Sequence, residues 1–199
     1  LGSRHFIKSY LKDIFGSSRE VKIIIRENIL KRSGFFGGPC DIYEMSESAN
    51  NVLEFPDTKC YSAQYNDKIY QNSSPVREGY RIKACEEIVQ NEEAIDHAIS
   101  KVSHYACANF PVGENCPANG ANASTLEVTD LNIKAMYKVF FPMRDPDKKV
   151  ALALRDVGGV DLENVNEQSE LDLEDAENRA KAWKRIILTL CFDPSWQVL

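Results

Sequence analysis

Six cysteines constrain this chain more than any other feature: Cys40, Cys60, Cys85, Cys107, Cys116 and Cys191. Their number is even, and no two stand in a C-x-x-C spacing. That excludes a thioredoxin-type redox motif, a c-type haem attachment and a zinc ribbon. Several lie in polar stretches rich in Gly, Pro and Asn, where a reduced thiol is exposed and reactive. Disulfides are the more economical state, and they require an oxidising setting, periplasmic, secreted or lumenal. Of the many possible pairings, the expected set is Cys107–Cys116, Cys40–Cys60 and Cys85–Cys191. The first closes a short local loop, the second staples a long irregular stretch, and the third ties two helices together.

A chain of 199 residues, 43% of them hydrophobic, can bury a core without depending on staples. The expected organisation is a single domain over residues 1–199. The net charge is −6 and the basic residues are scattered, in runs no longer than the pair Lys31-Arg32. A phosphate-tracking surface needs clustered Lys and Arg, so nucleic acid and anionic membrane surfaces are poor partners. No apolar run reaches the roughly 18 residues of a spanning helix. The opening Leu1-Gly2-Ser3 lacks a Met, which fits removal of a preceding signal peptide or tag.

Apolar periodicity predicts an all-α fold of about six helices around one core. Ser3 to Phe15 carries the stripe Ile7, Tyr10, Leu11 and Ile14, and Gly16 stops it. Ser17 or Ser18 caps a helix running to about Lys31, with Val21, Ile24, Ile25 and Ile29 on its face. From 33 to 74 the period fades among Gly, Pro and aromatic residues, which predicts a long disulfide-stapled loop insertion. Pro75 opens a helix with Val76, Tyr80, Ala84 and Ile88 at helical spacing. Asn91 caps the next, with Ile95, Ala98, Ile99, Val102 and Tyr105 buried. Cys107 to Ser124 is a loop. Thr125 or Thr129 then starts a helix carrying Leu131, Ala135, Val139 and Phe140, and Asp145-Pro146 opens a short one ended by Gly158-Gly159. The last helix bears the seam Leu173, Ala176, Ala180, Trp183, Ile187 and Leu190, and Pro194 ends it.

No constellation carries a recognisable catalytic motif. G-x-S-x-G is absent, and Gly34 to Pro39 lacks the lysine of a phosphate loop. Cys85 and Cys191 sit among apolar neighbours, which makes a thiol inert, so their expected role is structural. His97 and His104 lie seven residues apart on one predicted helix, about 10 Å along its axis. Glu93 stands one turn before His97. These three residues and nearby carboxylates are the candidate metal ligands, against the plainer reading of a polar helix face. The acidic run from Asp156 to Asp175 could attract calcium but lacks the D-x-[DN]-x-[DN]-G spacing, and a solvated loop explains it. Phe35 and Phe36 either fold back into the core beside Cys40 or form an exposed tip. Asn72-Ser73-Ser74 and Asn122-Ala123-Ser124 match the N-glycosylation acceptor pattern, both in predicted loops.

The closing run from Trp183 to Gln197, WKRIILTLCFDPSWQ, resembles the last segment of large exported bacterial proteins that accompany planctomycete-type cytochrome domains. Those segments similarly end in Leu-Thr, a short gap, then a Pro and an aromatic-Gln pair. The resemblance covers about 15 residues and implies an exported, helical, bacterial protein. It implies no activity, and no haem attachment, since C-x-x-C-H is missing here.

The expected role is therefore a non-enzymatic binding or structural module of the bacterial envelope, with no cofactor. Its partner would be a protein or a glycan, met by the rings of Phe35, Phe36, Tyr43, Tyr61, Tyr65 and Tyr70. Full burial of Phe35 and Phe36 would remove that placement. The alternative is a metal-dependent enzyme or metal-binding domain using His97, His104 and Glu93.

Overall fold

The computed structural model describes residues 4–32, 36, 75–108, 110, 116–159 and 172–198. Among these, all regular structure is helical. Helix α1, Arg4–Phe15, buries Ile7, Leu11, Ile14 and Phe15 on one face. It stops at Gly16, whose φ of 83° is costly for residues with a Cβ. The Gly16 amide donates to the Lys12 carbonyl at 3.0 Å, closing the last turn. Helix α2, Arg19–Ile25, starts where the Ser18 hydroxyl accepts from the Val21 amide at 3.3 Å. The next turn, Arg26–Leu30, is π-helical rather than a continuation of α2. Buried Asn28 sits in this wider turn and donates to the Ile24 carbonyl and to Glu87 at 2.8 Å. One expected helix to Lys31 is thus two segments.

Helix α3 spans Pro75–Val89 and α4 spans Glu92–Ser100. The Asn91 side chain separates them by accepting from the Ala94 amide at 2.9 Å. The helix expected from Asn91 to Tyr105 breaks at Lys101, and its second part is the short α5, Val102–Ala106. Thr129 caps α6, Asp130–Phe140, and Asp147 caps α7, Lys148–Val157. Asp175 accepts from both the Glu177 and Asn178 amides and starts α8, Ala176–Phe192. A 3₁₀ turn, Pro194–Val198, ends the described chain. Each of these caps satisfies an orphan amide that the helix itself cannot.

One hydrophobic cluster draws on every α-helix, from Ile7, Ile25, Ile88, Ile99 and Val102 to Met136, Leu154 and Trp183. Helix α3 packs on α8, α2 and the π turn, α1 packs on α4, and α5 packs on α6. Helices α6 and α7 both reach α8. Fully burying a side chain the size of Leu or Phe stabilises a fold by roughly 1.5–3 kcal/mol. This is the all-α, one-core architecture that the periodicity predicts.

Two cystine bridges close among the described residues. Cys85–Cys191 joins α3 to α8 across 106 residues, and Cys107–Cys116 closes a loop of nine. Both match the expected pairing. Cys40 and Cys60 lie outside the described residues, as does the 33–74 insertion apart from Phe36.

Two helix faces are rotated from expectation. On α3 the buried residues are Arg77, Arg81, Ala84, Cys85, Ile88 and Val89, while Val76 is 50% exposed. The inward positions of its first half therefore carry arginines. Their stems lie in the core, and their charged heads find acceptors or rings there. On α6 Leu131 is 53% exposed, and Ile133 and Met136 join Ala135, Val139 and Phe140 inside.

Candidate functional site

The expected metal ligands do not converge. His97 lies on α4, facing the end of α1, with Nδ1 3.0 Å from the Ile14 carbonyl. A carbonyl only accepts, so Nδ1 carries a proton and donates to one of the orphan acceptors of the α1 terminus. The same imidazole covers Gly16, where an added Cβ would sit 3.0 Å from its Cδ2. His97 thus seals a helix end. His104 is on α5, exposed, with its ring set edge-on to Tyr105 at 5.1 Å. Glu93 is also exposed. No group of three His, Cys, Asp or Glu side chains among the described residues could hold a metal ion. His97 and His104 stand on separate helices either side of Lys101, and among the described residues no third ligand joins them and Glu93 in a metal-holding group.

Of the six rings expected to form a contact surface, Phe36 alone lies among the described residues. Phe36 is 1% exposed, and the Arg77 guanidinium lies 5.1 Å from its ring centroid. It therefore belongs to the core and offers no face to a partner. Phe35, Tyr43, Tyr61, Tyr65 and Tyr70 lie outside the described residues.

The most interconnected buried polar group surrounds the α3–α8 cystine. Arg81 is 2% exposed. Its Nη1 and Nη2 donate to the Cys191 and Phe192 carbonyls at 2.6 and 2.7 Å, and its Nε to Glu78 at 2.8 Å. The carbonyls are orphans of the α8 C-terminus, where a cation is favoured by the helix dipole. Trp196 Nε1 donates to the same Cys191 carbonyl at 3.2 Å, and its ring stacks on Tyr10 at 4.4 Å. Tyr10 in turn donates to the Phe140 carbonyl at 2.5 Å. Burial pushes the Tyr10 hydroxyl well above its ordinary pKa, with Asp193 and Asp13 adding to the shift. Burial also holds the Arg77 guanidinium below its ordinary value; Glu78 opposes this and Arg81 adds to it. The bonds of this network run to helix-end carbonyls and tie α3, α8 and the closing turn together, so its role is structural.

A cleft of about 340 Å³ opens at the other end of α8. Glu127, Val128, Thr129, Asp172, Leu173, Glu174 and Arg179 line it. Its walls are set by side chains bonded to main chain. Arg179 donates through Nε to the Ser124 carbonyl at 2.7 Å and through Nη1 to those of Leu173 and Glu174 at 2.8 Å. Asn132 fixes the Glu127 carbonyl at 2.9 Å, and Asn178 fixes that of Asp172 at 3.1 Å. The Trp183 indole anchors the preceding Leu126 carbonyl at 2.8 Å. The lining thus combines three acidic residues, Glu127, Asp172 and Glu174, with one guanidinium that is itself bonded to carbonyls and with the apolar Val128 and Leu173. Of its acidic members, Asp172 and Glu174 belong to the stretch weighed as a calcium site or a solvated loop, and Glu127 carried no expectation.

No protein-family model, curated protein or solved structure matches this chain.

Proposed function

We propose that this chain is an exported, disulfide-stabilised module that binds a protein partner through the acid-lined cleft at the start of α8. The observation that carries the export half is the pair of closed cystines, one of them fully buried between α3 and α8. Such bridges persist in oxidising compartments and are rare in reducing ones. The likeness of the closing segment to exported bacterial proteins points the same way, toward the cell envelope or the space outside it.

The binding half rests on the cleft. Its carboxylates suit Lys or Arg side chains of a partner, and the net charge of −6 draws basic surfaces toward it. A glycan fits less well, because sugar rings are commonly held on aromatic faces and none of the described residues that line this cleft is aromatic.

The test has two parts. Counting free thiols in denaturant before and after reduction should give none and then all six; free thiols in the native protein would overturn the export reading. Titration with a Lys/Arg-rich peptide, followed by backbone amide NMR shifts, should perturb residues 127–129 and 172–174. Binding should weaken with salt, and Glu127→Gln with Glu174→Gln should weaken it further. Shifts confined to other surfaces would overturn the placement at the cleft.

A further inference from the structure

We propose that Asn122 is an acceptor for N-linked glycosylation wherever the chain is exported past an oligosaccharyltransferase that reads Asn-x-Ser, an inference that rests on the export reading above and not on a bacterial source. The chemistry is a glycosyl transfer from an oligosaccharide carried on a polyprenyl pyrophosphate. The Asn122 amide nitrogen, Nδ2, attacks the anomeric carbon of that donor. A carbon–nitrogen bond forms, and the bond from the anomeric carbon to the pyrophosphate oxygen breaks. Polyprenyl pyrophosphate leaves with the electron pair, and one amide proton passes to a base of the transferase. The reaction needs a reachable Nδ2, a Ser or Thr two residues on, and a residue other than proline between them.

Asn122-Ala123-Ser124 supplies all three, and the local geometry divides the amide into a used half and a free half. Asn122 Oδ1 accepts from the Ser124 amide at 3.1 Å and the Ser124 hydroxyl at 2.8 Å. It also accepts from the Thr125 amide at 3.0 Å and the Thr125 hydroxyl at 2.9 Å. Nδ2 makes no hydrogen bond among the described residues, and the side chain is exposed. Attachment at Nδ2 leaves the carbonyl oxygen in place, so all four bonds survive modification. The flanking main chain is held from behind. The Ala123 amide donates to Asp96 at 2.9 Å, Arg179 holds the Ser124 carbonyl at 2.7 Å, and the Ala123 side chain is buried. Asn122 therefore points outward from an anchored turn with room for a bulky polar group. A turn cap alone needs only an acceptor oxygen, which Asp supplies equally well. The free nitrogen and the hydroxyl two residues on are what the glycosylation reading adds.

The experiment is secretion of the full chain from a eukaryotic cell, with peptide mapping after enzymatic glycan release in heavy-oxygen water. Release converts a modified Asn to an isotope-marked Asp, which separates Asn122 from the second acceptor at Asn72. A marked residue at 122 is expected. Asn122→Gln and Ser124→Ala should each lose one glycan mass, and Ser124→Thr should keep it. An unmarked residue 122 in secreted protein with no free thiols overturns the proposal, as does marking confined to Asn72. Free thiols in the secreted protein would instead count against the export reading, and the isotope readout at 122 still decides the glycan.

Discussion

A guanidinium at 2% exposure is tolerated at Arg81 because each of its three nitrogens has an acceptor, Glu78 and the last two carbonyls of α8. Arg81→Met keeps the apolar stem and removes every one of those bonds, leaving the Phe192 carbonyl without its donor. The expected loss is about 3 kcal/mol, since an unsatisfied buried group and a broken buried ion pair add. Arg81→Lys retains the charge but not the planar fork, so its loss should be smaller. Urea denaturation orders the three proteins, and a methionine variant as stable as the parent would show that the network contributes nothing net. Tyr10 makes a pH-dependent prediction. Its hydroxyl is raised in the folded state by burial first and by Asp193 and Asp13 next. The sign follows from linkage: its contribution is fully present below the unfolded pKa of about 10 and is lost as pH rises above it, because only the unfolded chain ionises there. Stability should therefore fall at alkaline pH, with this one group contributing at most about 1.4 kcal/mol per pH unit. Tyr10→Phe should flatten that slope while costing about 1 kcal/mol at neutral pH through the lost bond to Phe140. Denaturation midpoints across alkaline pH check it, and an unchanged slope in Tyr10→Phe would sink the assignment.

At the scale of helices, the capped starts and the glycine stop of α1 were legible because they are chemical, whereas the breaks after Ile25 and at Lys101 were not. Ser18, Asn91 and Thr129 cap the helices that their sequence context announces, and Gly16 ends α1. Faces were less legible. Apolar spacing on α3 points to Val76 and Tyr80, yet Arg77 and Arg81 lie inside, because the long stems pack like apolar residues and the heads meet acceptors from distant parts of the chain. No local pattern encodes a carbonyl 110 residues away. The π turn after Ile25 is equally invisible, since it depends on Asn28 reaching Glu87 on α3. The α1 stop offers a test that separates backbone from packing. Gly16 combines a φ of 83° with His97 3.0 Å from any added Cβ. Gly16→Ala should cost about 1–2 kcal/mol, part from the left-handed backbone and part from the contact. In a His97→Ala background the contact is gone and only the backbone part remains, so the alanine cost should shrink without vanishing. A double-mutant cycle by urea melts reads this coupling. An identical cost in both backgrounds would mean that the imidazole yields freely.

On the scale of the whole molecule, the candidate cleft was hidden for a topological reason. Residues 127–129, 172–174 and 179 belong to separate stretches that meet only because Arg179 and Trp183 of α8 bind main chain around residues 124–126. In the sequence, Asp172 and Glu174 are two acids among many, and Glu127 stands alone. The cystines were readable because their chemistry is exclusive, and they carry the prediction that bears on the fold as a unit. Cys85–Cys191 spans 106 residues and fastens α3 to α8, whereas Cys107–Cys116 spans nine. A cross-link stabilises chiefly by removing conformational freedom from the unfolded chain, and the longer closed loop removes more. The loop-entropy relation puts the difference at about 2 kcal/mol in favour of the long bridge. Replacing both cysteines of a pair with Ala avoids free thiols and keeps the remaining cystines in place. The 85/191 double variant also leaves a void where the sulfurs were fully buried, which adds to its loss. Cys107 and Cys116 are only half-buried, so their removal should leave the loop before α6 looser and the helices intact. Calorimetry and amide exchange distinguish the two variants. The 85/191 variant should lose protection along both α3 and α8, and the 107/116 variant only between α5 and α6. Equal losses would mean that loop length does not set the difference between the two bridges.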